Sequence, residues 1–563
     1  MPVEQLRSEI ARVLREMGVE EAPEIVLERP RNPEHGDFAS NVAMTLARPL
    51  RRPPRQIAEE LVTRIDVSGA GIESAEVAGP GFINFRLAGD YLRDGLRDIL
   101  VQGRLYGRSA AGEGRPVVVE FVSANPTGPL HIGHGRQAAL GDAVAELLDW
   151  TGWKVFREFY YNDAGEQIAR LTRSVWARYQ QLLGESVDFP EDGYHGDYVV
   201  DLARDFAREA GDRYRGDEST AALEALRSFA VQALRAEQNR DLDELRVRFD
   251  NFYLESSLYD SGQVDATIQR LRDTGLAYEK DGALWLETTR FGDDKDRVMV
   301  KSSGHPTYFL PDVAYHVTKW ERGFHRAINV QGADHHGTVA RVRGGLQALG
   351  LPEGYPEYVL HQMVLVMRGG EEVKFSKRAG NYVTLRDLFE EVGVDVTRYF
   401  FLMRRAEAQL TFDLDLALDH SEKNPVYKLQ YAHARMSSIF RKAGLAGGQE
   451  VGVEANLALL TDATEEDLIK LLLRFPEVVA SAAERHTPHS ICEYLEEVGG
   501  AVNSWYHAGN LAPELRVVGA DVAEAVSRAR MVLARAIQLV LANGLAVLGV
   551  SAPDRLERDP EAA

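Results

Sequence analysis

Cysteine is almost missing: Cys492 stands alone among 563 residues. One thiol excludes an internal disulfide and any zinc site built on a cysteine cluster, so no structural zinc is expected, and it fits a reducing compartment. A long uninterrupted apolar run is missing too. The most apolar late stretch, MVLARAIQLVLANGLAVLGV, carries Arg535 and Gln538 and reads as a buried helix rather than a membrane span. The N-terminal MPVEQLRSEIARVLREMG alternates charge with helical apolar spacing and has no signal-peptide core. The expectation is a cytoplasmic protein with no membrane partner. Positive charge is in deficit, 65 Lys and Arg against 86 Asp and Glu, for a net charge of −21. That excess repels phosphate before contact and argues against unspecific coating of nucleic acid, but it permits a local basic surface. RPLRRPPRQIAEEL offers one, with Arg48, Arg51, Arg52 and Arg55 close together; a solvated basic turn is the competing reading.

What is present is enough apolar material, 45%, for several cores, since one core rarely grows past about 250–300 residues. The pattern reads as a multidomain α/β chain. Residues 1–105 form a small α+β unit, with a helix at 4–18, strands near 24–29 and 81–87, and a helix after HGDFASNVAMTLAR. GRSAAGEGRP reads as a linker. Residues 106–385 carry the alternation of a doubly wound, Rossmann-like parallel sheet: strand PVVVEFV, a helix from about 131 to 151, strand KVFREFYY, then RAINVQGADHHGTVARVRGGLQALG and YVLHQMVLVM. Between about 184 and 270 a polar helical segment reads as an insertion. Residues 386–420 connect, and 421–563 are helical almost throughout.

The densest chemistry lies in VEFVSANPTGPLHIGHGRQAALGDAVAELL, residues 119–148. A helix that starts right after a central strand points its free N–H groups and partial positive charge at the nucleotide crevice of such a sheet. His131 and His134 share one face and can reach one phosphate, while Gly133 and Gly135 let a base or ribose approach the backbone. Taken alone, the pair also fits two ordinary histidines at a helix cap. Downstream, VMRGGEEVKFSKRAGNYVTL puts Lys374, Ser376 and Lys377 in a Gly-flanked loop. Such a loop can carry an ammonium onto a triphosphate, or be merely a basic surface loop.

HIGH and KFSKR resemble the two signatures of class I aminoacyl-tRNA synthetases, His-Ile-Gly-His and Lys-Met-Ser-Lys-Ser. The neighbouring EFVSANPTGPLHIGHGRQAALGDA, FYYNDAGEQI, GDDKDRVMVKSSGHPTYFLPDVAYH, VQGADHHG, NPVYKLQYAHAR and HGDFASNVAM together resemble the arginyl-tRNA synthetases over essentially the whole chain. Phe375 and Arg378 depart from the usual Met and Ser, but both lysines remain. Gly128 and Pro129 stand where some relatives that lose the second lysine carry a lysine instead.

The resemblance implies ATP-dependent ligation of arginine to its tRNA through an arginyl-adenylate, with Mg²⁺ accompanying ATP. His131, His134, Lys374 and Lys377 are then catalytic, and Gly133, Gly135, Ser376, Asp334 and His335 meet ATP; for the last two, capping a turn is the alternative. A guanidinium needs acceptors and a carboxylate, and the family pattern puts Tyr308, Asp312 and Gln331 on it, with Asn125 and Glu120 at the substrate's ammonium or carboxylate. On chemistry alone Asp312 could equally cap a helix and Tyr308 pack in a core. A site built on buried hydrogen bonds rejects analogues without editing, so the insertion is expected to be structural or tRNA-facing. The first domain resembles the family's tRNA-contacting module, and the helical C-terminal region its anticodon-binding bundle. In that bundle Tyr427, Gln430, Tyr431, His433, Arg435, Trp505 and Tyr506 are candidates for reading bases, with core packing as the alternative for the aromatics. A monomer is the family expectation. Rival readings are another class I synthetase, a small nucleotidyltransferase, or a non-catalytic relative. The cysteine enzyme would need thiol ligands that one cysteine cannot supply, nucleotidyltransferases are usually far shorter, and a dead relative should have lost HIGH or the loop lysines.

Overall fold

Val117, Val118 and Val119 are all fully buried, as a strand covered on both faces requires. The computed structural model describes residues 2–556 apart from 20, 31, 68, 70, 164 and 374–381. In chain order it begins with α1 (Pro2–Glu16), β1 (Phe38–Ser40), α2 (Val42–Leu50), α3 (Pro54–Arg64), β2 (Ile72–Ala78), β3 (Phe82–Leu87) and α4 (Gly89–Gln102). Then come β4 (Pro116–Glu120), α5 (Ile132–Trp150), β5 (Lys154–Tyr161), α6 (Glu166–Leu182), α7 (Asp197–Ala210), α8 (Thr220–Glu244) and β6 (Asn251–Leu254). Next are α9 (Ser256–Asp260), α10 (Gln263–Asp273), β7 (Ala277–Lys280), β8 (Ala283–Leu286), β9 (Arg297–Val300), α11 (Phe309–Glu321), β10 (Ala327–Gly332), α12 (His336–Ala348) and β11 (Glu357–His361). They are followed by β12 (Val364–Arg368), β13 (Glu371–Glu372), α13 (Leu385–Val392), α14 (Val394–Leu402), β14 (Leu410–Asp413) and α15 (Leu414–Ala417). Helices α16 (Pro425–Lys442), α17 (Ala463–Leu473), α18 (Phe475–Arg485), α19 (His489–Leu511) and α20 (Glu524–Val547) complete it.

The chain divides into two compact units: Met1–Tyr106 with Ile439–Arg474 and Ala501–Val540, and Gly107–Ser438 with Phe475–Gly500 and Leu541–Ala563. In the first, β1-β3-β2 form an antiparallel sheet. Its second long strand is Ile72–Ala78 rather than 24–29, where a single bridge joins Glu28 to Ala39. β2 buries only Ile72 outright, so its apolar alternation is too weak to read. Helix α17 and parts of α16, α19 and α20 belong to this unit. Lys470 Nζ donates to Asp37 at 2.8 Å, Tyr106 donates to the Leu472 carbonyl at 3.3 Å, and Gly95 leaves room for the Leu473 side chain.

The second unit holds a five-stranded parallel sheet, β11-β10-β4-β5-β6. From β4 the chain moves out through β5 to β6, and from β10 it moves the other way to β11. The C-terminal ends of β4 and β10 therefore flank the switch point, where open α/β sheets bind ligands. Two sequence expectations change here. The helical insertion ends sooner than 270, because Asn251–Leu254 returns as sheet strand β6; α6, α7 and α8 bury their own core, with Leu171, Val175, Tyr179, Phe206 and Leu226 inside. YVLHQMVLVM is two strands, and β12 leaves the parallel sheet to pair with β14 and β13. Among the described residues α20 is the one helix long and apolar enough to cross a membrane; 78% of its most apolar window is buried, which fits a core helix.

Candidate active site

His131 caps α5 with backbone angles of an extended residue, φ −92° and ψ 169°. Its Nδ1 accepts the His134 backbone N–H at 3.2 Å, and His134 Nδ1 accepts the His131 N–H at 3.4 Å. The rings stack, centroids 3.6 Å apart. Burial lowers both imidazoles below their usual range, His134 furthest, so both are neutral at pH 7. A neutral ring whose Nδ1 accepts carries its proton on Nε2. The pair thus offers Nε2–H donors at a helix N-terminus, where phosphate binds well. Gly133 leaves space only beside the His131 ring, whereas a Cβ on Gly135 would meet Leu385 Cδ1 at 2.5 Å and Phe401 Cε2 at 2.9 Å. The expectation that Gly135 admits a base is therefore corrected: its missing side chain lets α5 pack closely on α13 and α14.

The link from β4 to α5 is held from several sides. Val122 and Ser123 adopt positive φ, 68° and 44°, a conformation costly for non-glycine residues that concentrates at functional sites. Gln238 of α8 donates to the carbonyls of Asn125 and Gly128 at 3.1 and 3.0 Å, and Tyr198 of α7 donates to that of Thr127 at 2.9 Å. The helical segment thus shapes NPTGP directly. Asn125 Nδ2 itself donates to Gln167 at 2.7 Å. Lys374, Ser376 and Lys377 lie outside the described residues. The chain that follows them is tied to the histidines: Ile132 N–H donates to Val383 O at 3.2 Å, Leu385 N–H to Leu130 O at 2.8 Å, and Tyr382 stands edge-on to His131.

Across the switch point, Tyr308, which is 74% exposed, immediately precedes α11. One turn on, half-buried Asp312 has its carboxyl pushed up to about 7 by burial, with Glu255 and Glu120 adding to the rise against Arg341. Glu255 accepts from Tyr160 at 3.0 Å, and burial raises its carboxyl as well. The Gln331 side-chain oxygen is buried with no hydrogen-bond partner among the described residues. Asp312 and Glu255 thus place two carboxyls near one another, with Tyr308 and Tyr259 close by, while Gln331 offers an open acceptor at the end of β10. No motif marks Glu255 in NFYLESSLYD; its position just after β6 is the only signal.

Beneath this pocket α11 grips the sheet. Lys319 Nζ donates to Glu120 at 2.6 Å and to Asn329 at 3.0 Å. Arg322 donates twice to Glu158, at 2.6 and 2.7 Å, and Tyr315 donates to it at 2.8 Å. Ser123 Oγ takes the second Glu120 oxygen at 3.1 Å. Glu120 is thereby engaged on both oxygens, which ties the expected helper of Asn125 into the support of the β4 end. Asp334 and His335 are exposed at the end of β10, 3.5 Å apart. Two residues unmarked by sequence also stand here. Arg136, fully buried, donates to the carbonyls of Gln362, Arg405 and Ala408 at 2.7, 2.9 and 3.1 Å, and buried His361 ends β11.

The nucleic-acid candidates separate into engaged and available groups. Arg52 pairs with Glu60 at 2.6 Å and Arg55 with Glu59 at 3.1 Å, whereas exposed Arg48 and Arg51 have no ion-pair partner among the described residues. On α16, Tyr427 and Tyr431 stack at 5.8 Å with Arg435 over the second ring at 4.5 Å, a half-exposed ladder. Gln430 and His433 are already hydrogen-bonded within the chain: Gln430 donates to Asp395 at 2.9 Å and the Ser551 carbonyl at 3.0 Å, and His433 Nδ1 meets the Pro553 carbonyl at 2.9 Å. Trp505 is buried and lines a cavity of about 290 Å³ with Tyr506 and Lys442, so it offers no open stacking face.

Comparison with known proteins matches three family descriptions in the order of the chain. These are the arginyl tRNA synthetase N terminal domain at 4–87, the tRNA synthetases class I (R), catalytic domain at 95–400, and the DALR anticodon binding domain at 429–556. The arginine–tRNA ligase of Thiobacillus denitrificans is 53% identical over 539 residues, 94% of each chain, and that of Geobacter metallireducens 53% identical over 545 residues, 95% of each. The solved Thermus thermophilus arginyl-tRNA synthetase superposes with a TM-score of 0.76 at 26% identity, covering 98% of this chain and 100% of its own. With the histidine-capped helix, the acidic pocket and matches along nearly the whole length in agreement, the chain belongs to the arginyl-tRNA synthetases.

Proposed function

We infer that the chain ligates L-arginine to its cognate tRNA at the expense of ATP, for protein synthesis, through an arginyl-adenylate. The arginine carboxylate attacks the α-phosphorus and pyrophosphate leaves; the terminal adenosine of the tRNA then takes the arginyl group through its 2′-hydroxyl, releasing AMP. The observation that carries the residue assignment is the reciprocal bond between His131 and His134. It fixes two Nε2–H donors on one side of the switch point, while Asp312, Glu255 and Gln331 hold negative charge and unfilled acceptors on the other.

In this reading the histidines donate to the triphosphate, and they need no reorganisation as charge moves onto the leaving pyrophosphate. Lys374 and Lys377 are assigned the same charge from their sequence motif. Asp312 and Glu255 take the guanidinium, Gln331 accepts one of its N–H groups, and Tyr308 covers its flat face. Asn125 holds the substrate's backbone end, and Asp334 and His335 meet the ribose. Mg²⁺ travels with ATP, coordinated by phosphate and water. The basic turn at Arg48–Arg55 and the Tyr427–Tyr431–Arg435 ladder face the tRNA. The enzyme acts as a monomer in the cytoplasm.

The test is pyrophosphate exchange with each amino acid, with and without unfractionated tRNA. Exchange confined to arginine supports the assignment. Exchange with lysine or glutamate, or none under any condition, rejects it.

A further inference from the structure

Three imidazoles lie near enough to interact electrostatically at this end of the sheet, and they are not alike. His131 and His134 present N–H donors, because each Nδ1 is taken up as an acceptor. His361 ends β11 directly opposite Gly332 in the parallel register with β10, and it is 6% exposed. Its Nδ1 lies 3.3 Å from the Gln362 carbonyl. A carbonyl can only accept, so the His361 proton sits on Nδ1. Arg136 donates to that same carbonyl at 2.7 Å and holds it in place. Burial and the neighbouring Arg136 charge keep the His361 ring neutral, its pKa lowered to about 4. What remains is Nε2, a bare lone pair, buried and without a hydrogen-bond partner among the described residues. A buried acceptor left empty is costly, and this one waits for a donor.

The ring lies close enough to His131, His134 and Asp334 to interact electrostatically with each. In the strand order it stands on the β11 side, away from the phosphate donors on α5, with the end of β10 between them. A nucleotide whose phosphates sit on α5 and whose ribose reaches Asp334 has only its base left to reach the β11 side. Adenine carries one strong donor there, the 6-amino group. Guanine and hypoxanthine place an oxygen lone pair at the same position.

We propose that His361 reads the base of ATP: its Nε2 accepts a hydrogen bond from the adenine 6-amino group and turns away 6-oxo purines by opposing one lone pair to another. This rests on the ligase reading of the same site. It makes His361 a determinant of nucleotide specificity, with Arg136 positioning it by fixing the carbonyl that sets its tautomer.

The experiment measures kcat/KM for arginine-dependent pyrophosphate exchange, in the presence of tRNA, with ATP, inosine triphosphate and purine riboside triphosphate, which lacks the 6-substituent. The unsubstituted enzyme should prefer ATP to purine riboside triphosphate by roughly tenfold or more, the usual effect of leaving a buried polar group unpaired. His361→Leu should use these two alike. His361→Gln, whose amide can turn to donate, should narrow the preference for ATP over inosine triphosphate by about tenfold or more. Arginine binding, which does not involve His361, checks that each variant is folded. Equal losses on all three nucleotides, or an unsubstituted enzyme indifferent to the 6-amino group, would overturn the inference alone. Absence of exchange with any nucleotide in the unsubstituted enzyme would overturn the ligase reading and this inference with it.

Discussion

His131 and His134 cap one another, each Nδ1 accepting the other's backbone N–H. The same ring therefore starts the helix with one nitrogen and offers a proton with the other, and the two jobs can be separated. His131→Asn keeps an acceptor near the Nδ1 position, and asparagine is among the best N-caps, but it removes the Nε2–H donor. Thermal stability should stay near that of the unsubstituted enzyme while adenylate formation slows by about 10²–10³, the usual effect of losing one transition-state donor. His131→Leu should lose the rate and also about 1 kcal/mol of stability with the cap. Thermal unfolding beside single-turnover pyrophosphate release checks both; an asparagine variant of normal rate would deny the donor role.

If Asp312 takes the guanidinium as proposed, arginine affinity should depend on pH with a definite sign. In the unliganded enzyme its carboxyl is raised to about 7 by burial, with Glu255 and Glu120 adding to it. A guanidinium stays charged throughout and prefers the ionised partner. Affinity should therefore rise with pH, up to about tenfold per unit below 7, and level off above. Stability of the unliganded fold moves the other way. Between about 3.9 and 7 the folded state holds a proton that the unfolded chain does not, so Asp312 costs stability as pH rises through that window, and saturating arginine removes the cost. Arginine titrations from pH 6 to 8.5 measure the first effect. Asp312→Asn should lose most arginine affinity and flatten the profile.

Two glycines of HIGHG answer to different neighbours. At Gly135 a methyl group would press on Leu385 and Phe401, so Gly135→Ala should destabilise by about 1–3 kcal/mol through overpacking. At Gly133 it would meet only the His131 ring, at 2.9 Å. Gly133→Ala should leave the unfolding midpoint little changed while disturbing the imidazole and slowing adenylate formation. Activity lost equally with stability in both variants would contradict this division.

The sheet and helix α5 are legible in sequence because local signals agree: a β-branched run, a turn, then histidines at helical spacing. The identity of the pocket is legible only through family motifs, since Asp312 after Pro311 fits a helix cap just as well. Other residues stay hidden because tertiary contacts alone define them. Arg136 looks like one more helix cation until three carbonyls surround it, and His361 like a strand histidine until its partnerless nitrogen is seen. Gln430 and His433 show the same limit. They sit in a synthetase-like motif, NPVYKLQYAHAR, and also contact the carbonyls of Ser551 and Pro553, which are more than a hundred positions away and beyond any periodicity.

The basic turn should divide in the same way. Arg52 and Arg55 are already compensated by Glu60 and Glu59, whereas Arg48 and Arg51 are exposed with no ion-pair partner among the described residues. Replacing Arg48 and Arg51 by alanine should raise the KM for tRNA. It should also flatten the dependence of log affinity on log salt by roughly 0.7–0.9 for each phosphate that is no longer neutralised. The Arg52 and Arg55 pair of substitutions should do less. Arginine and ATP kinetics should not move in either; an unchanged salt slope in the first pair would remove that turn from the tRNA surface.

Lys319 and Glu120 test how the pocket is supported. Both are buried, 2.6 Å apart, and Glu120 stands at the C-terminal end of β4, where the chain turns toward Asn125. Lys319→Met leaves a carboxylate buried without its cation and should cost about 3–5 kcal/mol. Glu120→Gln with Lys319→Met removes both charges and should recover much of that loss, because a buried ion pair gains little over neutral groups of like size. Urea unfolding of the two singles and the double gives the coupling. Arginine affinity tests the geometry: if Glu120 serves only to hold the β4 end in place, the stable double variant should bind arginine within a few-fold of the unsubstituted enzyme. A large loss there, with stability restored, would return Glu120 to direct contact with the substrate.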